Sequence, residues 1–362
     1  MKKISPGFLL PSAAVCVPRK AVRYYERVDK APEVGDLVYG RIAYLGFHST
    51  LENKQGRIHV INDGSRAVFV FGNRYAPDAF EGVVPRACGD QADMLARSGI
   101  VGTVRAKNAN VKDPTRVEML GYVCGKDGKV MNTLHRPMIC DPRALEVGKP
   151  RARLVLVVGT SMNSGKSMTA AMACWAISAM GHKVRGCKVT GTAGLKDILR
   201  MEDAGASPVA DFTYFGHPST YLLSERDVIG IFDKLDRKYA NNPSNYWVVE
   251  IADGILQRET VCLLASDRVR SRIHRLLFAA GDAMGAIAGL RILDERFGLT
   301  PHAISGICSA SPLAAQELRQ YADIPVISNT QRDLDQLSSV ILADRFGPGG
   351  HRKTPAASAT GV

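Results

Sequence analysis

The chain has 362 residues, 46% hydrophobic and 23% charged, enough for two buried cores at roughly 100 to 200 residues per domain. No apolar run approaches the ~20 residues of a membrane helix, so a membrane-spanning protein is excluded from the expected classes. The formal net charge of +12 is interleaved with acidic residues and accompanied by no nucleic-acid-binding module, so small anions rather than nucleic acid are the expected partners.

The charge is uneven: residues 1–150 carry 23 Lys and Arg against 15 Asp and Glu, and the remainder carries 24 against 20. At the N-terminus, Gly7-Phe-Leu-Leu-Pro11 is too short an apolar stretch for a signal peptide. Eight cysteines are scattered without a CxxC pair, as expected of reduced thiols. A cytoplasmic protein is expected.

The first half reads as β structure. Asp36–Gly46 alternates with β-branched and aromatic residues, and Gly56–Ile61 runs into the turn Asn62-Asp63-Gly64. Ala67–Phe71, Gly102–Ala106 and Val117–Cys124 continue the pattern, followed by the turn Lys126–Lys129. Short strands with tight turns predict a small mainly-β domain over residues 1–145, a barrel or a sandwich. Its loop Asn73-Arg74-Tyr75 offers Arg74 as a grip for an anionic substrate; a β-turn with a solvated arginine is the plainer alternative. Residues 141–152 are charged and Pro-containing, from Asp141-Pro142 through Lys149-Pro150, and the linker is expected at 146–152.

Residues 153–345 alternate strand and helix, which predicts α/β architecture with a mostly parallel sheet. Strands are expected at 154–158, 183–189, 247–251, 275–279, 303–307 and 324–327. A helix is expected from Ser224, whose Ser-Glu-Arg-Asp run resembles a capping box before Val228, Ile231, Phe232 and Leu235. The tail 346–362 is poor in apolar residues and is expected to be disordered.

The decisive segment is Leu154-Val-Leu-Val-Val-Gly-Thr-Ser-Met-Asn-Ser-Gly-Lys-Ser167. An apolar strand enters a loop of small residues, and Gly-Lys-Ser opens a helix. Loop N–H groups and the helix N-terminus converge on an anion. In this pattern Gly159, Thr160, Ser161, Met162, Asn163, Ser164, Gly165, Lys166 and Ser167 cradle nucleotide phosphates. Lys166 reaches the β- and γ-phosphates and Ser167 ligates Mg²⁺. Five residues rather than four separate Gly159 from Gly165, so Thr160 stands where the first glycine is usual.

Gly159–Ser167 resembles the P-loop of the dethiobiotin synthetase and cobyrinate/cobyric acid synthase group. Lys188-Val-Thr-Gly191 and Val248-Val-Glu-Ile-Ala-Asp-Gly254 resemble further stretches of the dethiobiotin synthetases, in the same order. The resemblance covers roughly residues 153–330. It implies ATP and Mg²⁺ as cofactors, Glu250 on the metal, and substrate beside Thr190, Gly191, Asp253 and Gly254. Asp253 and Ile251 replace small residues of those synthetases, so dethiobiotin synthesis itself is not implied. The whole chain resembles a bacterial family of ATP-binding proteins with an N-terminal β domain, a likeness that implies fold rather than chemistry.

Other candidates come from position. Lys188 ends a central strand, where ligands of open α/β sheets bind. Glu250 is a carboxylate in an apolar strand and calls for a cation. Asp211, in a loop of polar and aromatic residues, is either a second Mg²⁺ ligand or a turn cap. Asn329 follows the last strand, where a nucleotide base lies. No Asn-Lys-x-Asp guanine motif occurs, which favours ATP over GTP. The expected function is an ATP-dependent enzyme moving the γ-phosphoryl group to a small anionic metabolite, or ligating it, with Lys166, Lys188 and Glu250 catalytic. The alternative is an NTPase switch acting on a protein partner; a homodimer is left open.

Overall fold

The computed structural model describes residues 1–139 and 149–342. Residues 146–148 of the expected linker, its boundary at 145 and the expected disordered tail lie outside the described residues.

The first half contains β1 (Lys2–Lys3), β2 (Tyr24–Glu26), β3 (Leu37–Tyr44), β4 (Thr50–Glu52), β5 (Ile58–Val60), β6 (Arg66–Phe71), β7 (Phe80–Val83), β8 (Gln91–Ala96), β9 (Ile100–Lys107) and β10 (Thr115–Cys124). Five of them close on themselves. β10 pairs with β3, β3 with β6, β6 with β9, β9 with β8, and β8 with β10 again. Of the two architectures expected, the barrel is the one formed. Closure leaves these strands no bare edge.

Alternation builds its core. Arg116 and Glu118 of β10 face away from Val117 and Met119, which join Val38, Phe69, Met94 and Val101 inside. On β3 and β6 the opposite face carries Leu37, Tyr39, Val68 and Val70, covered by Phe8, Leu10, Ala13 and Val17 of the N-terminal segment. β8 had no sequence signal. Gln-Ala-Asp-Met-Leu-Ala is mostly a run of good helix formers, and pairing on both sides overrides that preference.

The second half is a P-loop NTPase fold. Its sheet holds β11 (Arg153–Gly159), β12 (Val184–Lys188), β13 (Val209–Asp211), β14 (Tyr246–Glu250), β15 (Ile273–Ala279) and β16 (Ala303–Ser305). They run parallel in the order β13-β12-β14-β11-β15-β16. Helices α1 (Lys166–Ala179), α2 (Lys196–Asp203), α3 (Glu225–Tyr239), α4 (Arg258–Ala265), α5 (Asp267–Arg270), α6 (Ala283–Phe297), α7 (Pro312–Tyr321) and α8 (Leu334–Ile341) follow the strands. One face packs Val155, Val157 and Val248 on Ala173, Ile177, Ile198 and Leu337 of α1, α2 and α8. The other packs Leu154, Leu156 and Trp247 on Ile231, Phe232, Leu263 and Leu293 of α3, α4 and α6. α1 is buried almost all round, which its alanines permit by letting it lie close to both sheet and neighbours.

Two expected features differ. No strand forms over 324–327. Val326 makes only an isolated bridge to Ile304, because Pro325 has no N–H to give a ladder. The strand from Ala303 stops at Ser305, where Gly306 turns the chain at φ +94°. β13 was missed, being three residues with no period to read. The helix from Ser224 is as expected, with the serine side chain accepting from the Asp227 N–H.

Candidate nucleotide and substrate site

β11 delivers the chain to the loop and α1 carries it away, with Lys166 as the first helical residue. Gly165 sits at φ +100°, and a Cβ there would come within 2.7 Å of Gly306 Cα and 2.9 Å of Asn329 Nδ2. Glycine therefore lets the loop press onto the turn after β16 and onto Asn329. Asn329 is buried beside the loop, and its Oδ1 has no hydrogen-bond partner among the described residues. Lys166 is buried; its ammonium donates to the Ser161 carbonyl at 2.6 Å, inside its own loop. Burial pulls that ammonium below its ordinary range, with Glu250 and Asp253 opposing.

The ends of β12 and β14 supply the facing charges. Lys188 and Glu250 are in register across the two strands, and both are buried. The Glu250 Oε1 accepts from the Ser167 hydroxyl at 3.1 Å, while its buried Oε2 has no hydrogen-bond partner among the described residues. Burial pushes the Glu250 carboxyl upward, and Asp197 adds to the push. An orphaned carboxylate oxygen beside the P-loop hydroxyl fits a divalent cation. Among the described residues no group of three His, Cys, Asp or Glu comes together.

Asp197, near the start of α2, was not anticipated. Its carboxylate holds the Lys188 ammonium at 2.5 Å. Burial pulls Lys188 down, but Asp197 and Glu250 outweigh it and hold the ammonium charged. Burial also opposes the Asp197 charge, and Lys188 overcomes it. Only the fold shows this pair, since Asp197 lies in an ordinary Leu-Lys-Asp helix start.

Four other expected residues divide between the cavity and the scaffold. A cavity of about 390 Å³ is lined by Lys166, Ser167, Lys188, Gly191, Glu250 and Asp253 from the second half, and by His48, Arg74 and Arg97 from the barrel. Thr190 and Gly254 are not among its lining. The Thr190 hydroxyl is taken up by the Ala252 backbone, donating to its carbonyl at 2.5 Å. A Cβ on Gly254 would meet the Thr160 carbonyl at 2.3 Å, so this glycine packs under the P-loop. Both support the surrounding backbone.

Asp211 ends β13 fully buried, outside the cavity lining. Its Oδ1 caps the turn that follows, accepting from the Thr213 N–H at 2.9 Å and from the Thr213 hydroxyl. That is the cap of the two readings; the buried Oδ2 has no hydrogen-bond partner among the described residues. Burial pushes its carboxyl up to about 6, against the Thr213 bonds. A carboxyl raised in the folded state favours folding below its unfolded pKa, and that contribution is lost as pH rises through about 6. Asp211→Asn is therefore expected to be more stable than wild type above pH 6, by about 1–3 kcal/mol, and to lose that margin near pH 4. Urea denaturation at the two pH values measures it.

The barrel and the P-loop half meet around this cavity. Asn163 of the loop donates to Asp78 Oδ2 at 2.6 Å, and Tyr221 donates to Glu81 Oε1 at 2.9 Å. The buried Glu52 of β4 accepts the Leu195 N–H, at the start of α2, with both oxygens at 3.2 Å. Arg74 lines the cavity. It is buried rather than solvated, and its guanidinium donates to the Leu95 carbonyl while its Nε has no partner among the described residues. Burial lowers it to about 10, with Asp253 opposing.

The seven cysteines among the described residues are free, and no described helix is long and apolar enough to cross a membrane. No family model matches the chain, and no curated protein matches it. Similar solved structures include the signal recognition particle receptor FtsY from Elizabethkingia anophelis, at 14% identity over 58% of this chain and 71% of that one, TM-score 0.36. The same receptor in complex with GDP matches at 14% identity over 57% and 69%, TM-score 0.35. Likeness at that level carries no weight for the chemistry.

Proposed function

We propose that this chain is a Mg²⁺-dependent, ATP-using enzyme that transfers the γ-phosphoryl group to a carboxylate of a small anionic metabolite, either as the whole reaction or as the first step of a ligation. The observation that carries the reading is the shared cavity, where Lys166 of the P-loop faces barrel residues that include the buried Arg74. A nucleotide site alone does not need a second wall of that kind. The loop's likeness to the dethiobiotin synthetase group and the lack of an Asn-Lys-x-Asp motif support ATP.

In this reading the loop N–H groups and Lys166 bind the phosphates. Ser167 and Glu250 would hold Mg²⁺, which offsets phosphate charge when bound. A metabolite carboxylate oxygen forms the new bond to the γ-phosphorus as the bond to the β-phosphate oxygen breaks, and ADP leaves. Lys188, kept charged by Asp197, stabilises the transferred group, since such catalysis is mainly positioning and electrostatics. Asp253, which lines the cavity, orients a donor group of the metabolite.

The test is a metabolite screen of ATP turnover. A small acid that raises the rate supports the enzyme. Arg74→Ala is then expected to lower kcat/KM for that acid about 10- to 100-fold, the scale of a lost charged contact. An unchanged value would remove Arg74 from the site.

A second reading, an NTPase switch, draws on the contact between Asn163 of the P-loop and Asp78 of the barrel, which would pass a change in the loop to the first half. Stimulation only by a protein, with none by metabolites, supports the switch.

A further inference from the structure

The cavity lining carries six Lys and Arg side chains against four Asp and Glu, a positive excess. Lys166 serves the phosphates and Lys188 is committed to Asp197. Arg97 of the barrel and Arg200 of α2 line the same cavity, and neither has a carboxylate within ion-pair distance among the described residues. Their placement is fixed by one buried bolt. The Glu52 N–H donates to the Arg97 carbonyl at 2.8 Å, and the Glu52 carboxylate accepts from Leu195 at the start of the helix that carries Arg200. A Cβ on Gly56 would touch Leu199 Cδ1 at 2.4 Å, so this hairpin of the barrel lies directly on α2.

Charge also runs in order across the cavity. Arg74 is repelled by Arg97 and attracted by Asp253, and Asp253 in turn is attracted by Lys166. Two like charges, Arg74 buried with an unpaired Nε and Arg97 exposed, line the barrel wall of the cavity. Burying a charge that Asp253 offsets only in part is costly, and an anion placed there offsets the rest. Guanidinium groups hold a carboxylate through paired N–H donors.

We infer that the part of the cavity where the barrel meets α2 binds the distal carboxylate of a small dicarboxylic acid, gripped by Arg97 and Arg200 with Arg74, while its other carboxylate faces the P-loop. This rests on the proposed transfer to a carboxylate, and it goes further by naming the substrate class and its anchor.

The experiment is calorimetry of the full chain with malonate, succinate, glutarate and adipate, against acetate and butyrate, and in a separate titration with Mg-ATP. At least one dicarboxylate is expected to bind more than 10-fold tighter than either monocarboxylate. Arg97→Gln and Arg200→Gln are each expected to weaken it at least 10-fold, and Arg97→Lys to recover part of the loss. Unfolding midpoints of the variants show that they fold. Equal binding of mono- and dicarboxylates, no binding of any, or no loss in the glutamine variants overturns the inference. If dicarboxylates bind and Mg-ATP does not, the anchor stands and the ATP-dependent reading falls; the reverse result removes the anchor alone.

Discussion

Glu250→Gln is expected to raise the Mg²⁺ concentration for half-maximal ATP hydrolysis about 10- to 100-fold and to lower the rate at saturating Mg²⁺. The reason is the position of this carboxylate. It lies at the C-terminal end of β14, buried, with one oxygen on the Ser167 hydroxyl and the other unpaired among the described residues. Burial and the neighbouring Asp197 both raise the cost of its charge. A divalent cation removes that cost, and a neutral amide cannot attract one in the same way. The amide preserves shape and can still accept from Ser167, so the loss reads the charge and not a collapse. A Mg²⁺ titration of steady-state hydrolysis measures it; an unaltered requirement would take Glu250 off the metal.

Trp247→Ala should cost about 3–5 kcal/mol of stability, the range for emptying a large aromatic site in a core. Trp247 is the largest fully buried side chain, in register with Leu154 on one neighbour and Arg185 on the other. Its ring lies 5.4 Å from that of Phe232 on α3, so it joins the sheet to a helix layer. Against a total of about 5–15 kcal/mol for a domain, the loss is a large share. Trp247→Phe should cost less, because it leaves a smaller cavity. Denaturant unfolding of both variants gives the comparison, and equal midpoints with wild type would contradict this packing.

The sequence was most readable where a local pattern carries the chemistry. The apolar run from Leu154 into Gly-Lys-Ser marks strand, loop and helix without reference to the rest of the chain. Glu250 was legible because a carboxylate inside Tyr-Trp-Val-Val-Glu-Ile conflicts with its surroundings. Arg74 was legible as a loop arginine, but its burial was not, because the Leu95 carbonyl that it meets belongs to a strand written in helix-forming residues. Asp197 and Glu52 gave no signal. Each has its role through a partner far along the chain or on another element, Lys188 for one and Leu195 for the other. Thr190 and Gly254 carried a family likeness, but the fold uses them to clamp and seat the loop. The missing strand at 324–327 had a local cause in Pro325, which the apolar run around it concealed.

Calorimetric titration of wild type and Lys166→Ala with Mg-ATP tests the central claim most directly. Lys166 is the first residue of α1 and the only lysine of the loop 159–167, and alanine is a good helix former that leaves the backbone cradle in place. The account predicts binding by wild type and a loss of at least about 100-fold in the variant, the scale of an uncompensated phosphate contact in a buried site. Equal affinity in the two proteins would contradict it, and with it the assignment of this loop to nucleotide phosphates.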